Sequence, residues 1–149
     1  MDIHFEPIID ENRHQAEMLS LFPEQCGFIE SVRECLAEAD EVSEWKCVGI
    51  YDADTLVGFA MYGKFKEPLP YGEVWLDRLL IDKKYQRCGY GKTAVTGLLK
   101  KLRNEYNCPN VRLSVYDTNT VAVELYKKIG FRFNGELDTK GEKVMIYEF

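Results

Sequence analysis

The sequence predicts a single α+β domain. Two observations support this prediction: strand-like and helix-like segments alternate along the whole chain, and the stretch from Val74 to Leu102 combines a buried strand, a glycine-bearing loop and an amphipathic helix. The chain has 149 residues, enough to bury one core, and its hydrophobic content of 46% excludes disorder. No linker, repeat or low-complexity tract divides it, so residues 1–149 are expected to form one domain.

The first half of the chain is predicted to hold three strands and two helices. The strands are short runs bounded by polar turn residues, and the second helix places Ile29, Val32 and Leu36 on one apolar face. The predicted elements are a strand over Asp2–Pro7, a weak helix over Arg13–Leu21, a helix over Phe28–Ala39, and strands over Trp45–Tyr51 and Leu56–Tyr62.

The second half is predicted to alternate strands with two helices. A loop over Lys64–Gly72, which contains Pro68 and Pro70, leads into the buried strand and is expected to border the active site. The predicted elements that follow are a strand over Val74–Ile81, a helix beyond residue 91, a strand over Val111–Tyr116, a helix over Asn119–Ile129 capped by Gly130, a strand from Phe131 and a terminal strand over Val144–Phe149.

The loop of residues 86–91, QRCGYG, is predicted to bind phosphate because it lies at the N-terminus of the long helix. Free backbone N–H groups and the positive end of the helix dipole meet there. Gly89 and Gly91 let a ligand approach the backbone closely, and Arg87 and Lys92 add positive charge. The loop matches neither the Walker A pattern nor the dinucleotide-binding G-x-G-x-x-G pattern.

Two motifs resemble those of the GNAT superfamily of N-acetyltransferases. QRCGYG matches the [QR]-x-x-G-x-[GA] loop with which that family holds the pyrophosphate of acetyl-CoA, and residues 119–131, NTVAVELYKKIGF, resemble its second CoA-contacting helix. The element order β-α-α-β-β-β-α-β-α-β-β is also that of the family. The resemblance implies a three-layer GNAT fold: a central mixed, mostly antiparallel sheet with a splayed pair of fourth and fifth strands and helices on both faces.

The resemblance implies acetyl-CoA as cosubstrate, and no metal. In the family a bulge splays the central strand from its neighbour, and the freed edge, here Leu79 to Ile81, pairs with pantetheine while its N–H groups polarise the thioester carbonyl. The residues implied to bind the cofactor are Leu79, Leu80, Ile81, Arg87, Cys88, Gly89, Tyr90, Gly91, Lys92, Asn119, Tyr126 and Lys128.

Tyr126 matches the tyrosine that many family members direct at the CoA sulfur, which implies a general acid. A phenol has a pKa near 10, so it is protonated at neutral pH and can donate to a departing thiolate. The alternative is a buried core tyrosine. A nucleophilic Cys88 is a further possibility, since a helix N-terminus lowers a thiol pKa, but the family transfers acetyl directly and no histidine is near Cys88 in sequence.

Asp77 is the candidate base or ammonium anchor of the acceptor site, because it is a charged residue within an apolar strand. Strand alternation predicts that it shares a face with Leu79 and that Arg78, on the opposite face, cannot easily be its partner. An incoming ammonium would then be the partner. A structural salt bridge is the alternative interpretation, and Glu73, on the same predicted face, is the reserve candidate for substrate binding.

Charge is divided unevenly along the chain. Residues 1–75 hold 16 acidic and 5 basic residues, whereas residues 76–149 hold 9 acidic and 14 basic residues. The basic half, which contains the phosphate loop, suits a polyanionic donor, and the acidic half suits a cationic acceptor. Within the acidic half, Glu30, Glu34 and Glu38 are predicted to form an acidic stripe on one helix. The net charge of −6 argues against nucleic acid as a partner.

The phrases LVGFAMYG, LPYGEVWLDRLLID, YQRCGYGK and ELYKKIGF resemble bacterial spermine/spermidine N-acetyltransferases of this superfamily, which implies a polyamine acceptor. Another amine (a peptide N-terminus, a lysine or an aminoglycoside) and a non-catalytic CoA-binding sensor are the alternatives. The acidic N-terminus lacks an apolar leader and no segment is long enough to span a bilayer, so a cytoplasmic location is expected. A homodimer is also expected, with Val144, Ile146 and Phe149 as a candidate apolar contact.

Overall fold

The computed structural model describes residues 1–66, 73–138 and 140–149, and these build one seven-stranded sheet with the strand order β1-β2-β3-β4-β5-β7-β6. The pairing of β4 with β5 is parallel and the other pairings are antiparallel. The strands are β1 Ile3–Pro7, β2 Trp45–Asp52, β3 Thr55–Phe65, β4 Glu73–Ile81, β5 Asn110–Val115, β6 Arg132–Leu137 and β7 Lys143–Glu148; the helices are α1 Asp10–Glu17, α2 Val32–Glu41, α3 Tyr90–Tyr106 and α4 Thr120–Ile129. The predicted mixed sheet and element order are confirmed.

Two hydrophobic clusters hold the helices on opposite faces of the sheet. The larger cluster packs α3 and α4 against one face through residues such as Leu98, Leu102 and Val123. The smaller cluster packs α1 and α2 against the other face through Ala16 and Leu36. The apolar faces that the sequence shows on these helices therefore determine the three layers.

Side-chain caps move the starts of the first two helices away from their predicted positions. The Asn12 side chain accepts a hydrogen bond from the Ile9 N–H at 2.7 Å, so α1 begins at Asp10 rather than Arg13. The Ser31 hydroxyl accepts from the Glu34 N–H, and the Glu34 carboxylate accepts from the Ser31 N–H, both at 3.2 Å. This capping box starts α2 four residues later than the periodicity predicts.

Two further predictions, for the end of β3 and for the apolar residues of β7, differ from the structure. The predicted loop over Lys64–Gly72 is wrong at its start, because β3 continues to Phe65; residues 67–72, with Pro68 and Pro70, lie outside the described residues. Val144 and Ile146 are buried within the chain's own core, so the apolar contact predicted for a dimer is wrong for these two residues.

Candidate functional site

A β-bulge interrupts β4 at Asp77. Met61 of β3 pairs with Arg78 and the next residue, Tyr62, pairs with Leu76, which leaves Asp77 as the extra residue. The bulge shifts the alternation of side chains along β4. Leu76 before the bulge and Leu79 after it both pack with the α3–α4 cluster, although they are three positions apart.

Beyond the bulge, β4 separates from β5. Within the described residues, the parallel ladder between these strands consists of one pair, Trp75 with Arg112, although β4 runs on to Ile81. The N–H of Asp82 donates to the Val57 carbonyl in β3 at 2.9 Å. The backbone N–H and carbonyl groups of successive strand residues point in alternating directions. Those of Leu79 and Ile81 must therefore point away from β3, into the gap between β4 and β5. The splayed pair that the sequence implies is therefore present.

The loop after β4 presents backbone N–H groups at the start of α3. The first intrahelical bond is donated by the Thr93 N–H to the Gly89 carbonyl at 3.3 Å, so the three N–H groups from Tyr90 to Lys92 have no acceptor within the helix. Gly89 (φ 86°) and Arg87 (φ 61°) both have left-handed backbone conformations. Successive N–H groups of such a turn form a concave surface that binds anions.

Gln86 fixes this loop to the end of β4. Its side-chain Nε2 donates to the Ile81 carbonyl at 2.9 Å, and its amide pairs reciprocally with the amide of Gln25 at 2.9 Å. The Ile81 carbonyl is therefore already bonded, whereas its N–H still points into the gap. Gly91 lies close to α4, because a Cβ at this position would be 3.3 Å from the Leu125 side chain.

Helix α4 closes the other side of the gap and carries Tyr126. Asn119 caps this helix by accepting a hydrogen bond from the Ala122 N–H at 3.4 Å. The Tyr126 ring packs edge-on against Phe131 with centroids 5.6 Å apart. Burial raises the pKa of the Tyr126 hydroxyl to about 12, so the group stays protonated at neutral pH.

One cavity of about 960 Å³ joins these features and extends past the bulge to the acidic part of the molecule. The predicted residues that line it are Glu73, Asp77, Leu79, Leu80, Ile81, Arg87, Gly89, Gly91, Lys92, Asn119 and Tyr126. Three predicted cofactor residues in the described part of the chain are outside this lining. The Cys88 side chain is exposed, the Tyr90 hydroxyl donates to Asp52 at 2.6 Å, and Lys128 is exposed on α4.

Asp77 is paired with Arg78, so the prediction that Arg78 cannot easily be its partner is wrong and the alternative, a structural salt bridge, is present. Asp77 Oδ2 lies 3.1 Å from Arg78 Nε, because the bulge lets adjacent residues project toward the same side. Arg78 also reaches Glu30 at 3.0 Å and Glu38 at 2.6 Å, and its side chain is only 7% exposed. Burial raises the pKa of Asp77 and Arg78 opposes that rise.

The bulge also overturns the prediction that Asp77 and Leu79 share a face. Leu79 packs with the α3–α4 cluster, whereas Asp77 meets Arg78 on the side of α2. The prediction of an acidic stripe on α2 is wrong as well, because Glu30 precedes the helix and Glu34 belongs to its cap. Of the three predicted acidic residues, Glu30 and Glu38 line the cavity and Glu34 does not.

Sequence reasoning missed a group of charged residues on the β6–β7 hairpin. Asp138, Lys140 and Glu142 line the same cavity as Asp77. Burial and the nearby Asp138 carboxylate raise the pKa of Glu142 to about 7. Their spacing in the sequence indicates only a polar turn, and it is the sheet order, with β7 beside β5, that brings this hairpin to the cavity.

Neither a metal cluster nor a membrane span is found in the described parts of the chain. Residues 1–66, 73–138 and 140–149 contain no group of three or more potential metal ligands. Across those same ranges, each helix is too short or too polar to cross a bilayer.

Comparisons with known proteins agree with this geometry. Residues 12–131 match the family described as "Acetyltransferase (GNAT) family". The chain is 43% identical to a spermine/spermidine N(1)-acetyltransferase of Bacillus subtilis (strain 168), with 99% of both chains covered. Its fold resembles that of spermidine N-acetyltransferase from Vibrio cholerae in complex with CoA and spermine, with a TM-score of 0.73 and 17% identity over 99% of this chain and 95% of that chain. It also resembles the fold of aminoglycoside acetyltransferase AAC(6')-Ib in complex with coenzyme A, with a TM-score of 0.82 and 15% identity over 98% of this chain and 94% of that chain.

The loop at the start of α3 yields a direct test. We expect Gly89→Glu to weaken acetyl-CoA binding by at least about tenfold, because a carboxylate would occupy the anion site and repel phosphate. Isothermal titration calorimetry measures the affinity. Unchanged affinity in a folded Gly89→Glu protein would show that the pyrophosphate binds elsewhere.

Gly135→Glu is the matched control for backbone strain. Gly135 has the same φ of 86° as Gly89 and has no atom within 4 Å of an added Cβ, but it is not among the residues that line the cavity. Both variants should lose a similar amount of stability, about 1–2 kcal/mol for a left-handed side chain. Only Gly89→Glu should lose affinity for acetyl-CoA.

Proposed function

The chain belongs to the acetyltransferase (GNAT) family, and from this premise we propose that it transfers the acetyl group of acetyl-CoA to a primary amine of a polyamine such as spermine or spermidine. The family match confirms the predicted enzyme class, N-acetyltransferase, with acetyl-CoA as cosubstrate. The observation that carries the polyamine acceptor is the 43% identity, over 99% of both chains, with a spermine/spermidine N(1)-acetyltransferase. The carboxylates of Glu30, Glu38 and Asp77, which line the cavity, support it independently.

Acetyl-CoA would bind in the donor half of the cavity. The N–H groups at the start of α3, with Arg87 and Lys92, would hold the pyrophosphate. The N–H and carbonyl of Leu79 and the N–H of Ile81 point into the gap between β4 and β5, where pantetheine would form strand-like hydrogen bonds. An N–H group of this edge would stabilise the negative charge that develops on the thioester oxygen.

The acetyl group would pass directly from sulfur to nitrogen while both substrates are bound. The amine lone pair forms the N–C bond, the C–S bond breaks, and the nitrogen loses a proton. Tyr126 would donate its hydroxyl proton to the departing thiolate, and its raised pKa of about 12 means that the hydroxyl carries that proton at neutral pH. Tyr126 faces the same cavity as the open edge of β4.

The acceptor half has the charge that a polyamine requires. Three carboxylates, those of Asp77, Glu30 and Glu38, surround the guanidinium of Arg78, and Glu30 also contacts the ammonium of Lys140. With three carboxylates and two cations, the cluster keeps a formal negative charge. Asp77 belongs to this cluster and lies at the bulge, two residues before Leu79 on the open edge of β4. It would anchor the reacting ammonium or take its proton through water, and Glu73, four residues earlier on β4, would bind a more distant ammonium.

Two alternative functions can be distinguished from polyamine acetylation. Another cationic acceptor, such as an aminoglycoside, would suit the same acidic cavity, and an acceptor panel distinguishes it. A non-catalytic CoA sensor would need neither a protonated tyrosine nor an acidic acceptor half in the same cavity, and the presence of both favours an enzyme.

We also propose a homodimer and a cytoplasmic location. Strand β6 lies at one edge of the sheet and exposes Phe133 and Leu137, so it is the surface that we propose for pairing with a second copy. A monomer mass by light scattering at micromolar concentration would reject the dimer. The location follows from the supply of acetyl-CoA inside the cell, and recovery of the protein outside the cytoplasmic fraction would reject it.

Tyr126→Phe tests the proposed general acid. We expect kcat to fall by about 10² or more, because the variant removes the proton donor and keeps the ring. Tyr147→Phe is the matched control, since Tyr147 also packs against Phe131, with centroids 5.5 Å apart, but is not among the residues that line the cavity. Equal kcat values for Tyr126→Phe and the wild type would show that Tyr126 is not the general acid and contributes only to packing.

Steady-state kinetics with spermine and with a monoamine of similar length test the acceptor. We expect kcat/KM for spermine to be higher by about tenfold or more, because each further ammonium–carboxylate contact contributes up to about 1 kcal/mol. Raising the salt concentration should increase KM for spermine and change kcat little, since the Debye length is about 8 Å at 0.15 M.

Asp77→Asn should lower kcat/KM for both amines alike, because Asp77 acts at the reacting nitrogen. Comparable kcat/KM values for spermine and the monoamine in the wild type would contradict a polyamine acceptor and favour a general amine.

A further inference from the structure

The acceptor half of the cavity already contains an ammonium group, that of Lys140. Its Nζ lies 2.6 Å from Glu30 Oε1, a contact that joins the β6–β7 hairpin to the segment before α2, 110 residues away in the chain. The hydrogen bond to Glu30 raises the pKa of Lys140, so its ammonium is charged at neutral pH.

This ammonium lies within the carboxylate network that surrounds the bulge. The second oxygen of Glu30 is 3.0 Å from Arg78 Nε, and the same nitrogen is 3.1 Å from Asp77. Lys140 is therefore linked to Asp77 by three successive ionic contacts, through Glu30 and Arg78, and all four side chains line one cavity. A primary ammonium on a flexible alkyl chain is chemically the same group as the end of a polyamine.

The contact between Lys140 and Glu30 is also exposed enough for a ligand ammonium to replace Lys140. The side chain of Lys140 is 54% exposed and that of Glu30 is 33% exposed. A pair with this exposure contributes little to stability, so exchanging Lys140 for another ammonium costs little. Arg78, by contrast, is almost fully buried and holds the other side of Glu30 in place.

We propose that Lys140 occupies, in the free protein, the position on Glu30 that one ammonium of the acceptor takes when it binds. This inference rests on the proposed polyamine acceptor and adds a residue that tunes its affinity. A polyamine that places one nitrogen near Asp77 has further ammonium groups that can replace Lys140 on Glu30. A monoamine has none, so Lys140 opposes the binding of polyamines more strongly than that of monoamines.

The experiment is isothermal titration calorimetry of spermine with the CoA-saturated protein, in the absence of an acetyl donor so that no turnover occurs. We expect Lys140→Met to lower the Kd for spermine by about three- to fivefold, the value of a partly exposed ion pair. The Kd for butylamine should change much less than the Kd for spermine, because Lys140 acts on Asp77 only through its charge. Lys140→Arg retains the charge and should keep the Kd for spermine close to that of the wild type.

Lys143→Met is the matched control for general charge effects. Lys143 lies on the same hairpin, is 51% exposed and pairs with Asp117 at 3.0 Å, but it is not among the residues that line the cavity. Its replacement should change the Kd for spermine much less than replacement of Lys140 does. In a Glu30→Gln background, Lys140→Met should have no effect, because the contact is already lost.

An unchanged Kd for spermine in Lys140→Met, or an equal decrease in Lys143→Met, would overturn the inference and leave the polyamine acceptor intact. Wild-type protein that does not bind spermine would overturn the proposed acceptor, and this inference with it. The two failures are distinguishable because the second is seen without any variant.

Discussion

Asp77 has no partner in the ladder between β3 and β4, and this one extra residue determines both halves of the cavity. Past the bulge β4 diverges from β5, so the backbone groups of Leu79 and Ile81 point into a gap instead of pairing with a neighbouring strand. The same bulge directs Arg78 to the side of α2, where it meets the carboxylates. Unpaired backbone groups are costly in a core, so the gap is stable only where a ligand or water can reach it.

Electrostatics separates the cavity into a donor half and an acceptor half. The donor half has the N-terminus of α3 with Arg87 and Lys92, which suits the phosphates of CoA. The acceptor half has several carboxylates around Arg78, and burial raises the pKa of Asp77 there. An anionic donor and a cationic acceptor are thus attracted to opposite ends of one cavity. The acetyl group would be transferred between them, at the bulge, where the open edge of β4 and Asp77 meet.

The sequence predicts the fold and the backbone geometry at the start of α3 because both depend on local patterns. The glycines of the loop, the apolar face of α3 and the cap of α4 are all visible within short segments. The acceptor half depends on contacts between distant segments, and there the predictions fail. Perfect strand alternation misplaces Leu79 and Arg78, since a bulge leaves no local signal, and helical periodicity extends α2 past Ser31. Lys140 reaches Glu30 only because of the sheet order.

Amide hydrogen exchange at β4, measured by NMR with and without CoA, tests most directly whether the bulge opens this strand to the donor. We expect CoA to slow exchange at the amides of Leu79 and Ile81, which point into the gap. The Leu80 amide, which points toward β3, should be protected in both states. Equal exchange at Leu79 and Ile81 with and without saturating CoA would contradict the claim that the bulge opens β4 to bind the donor.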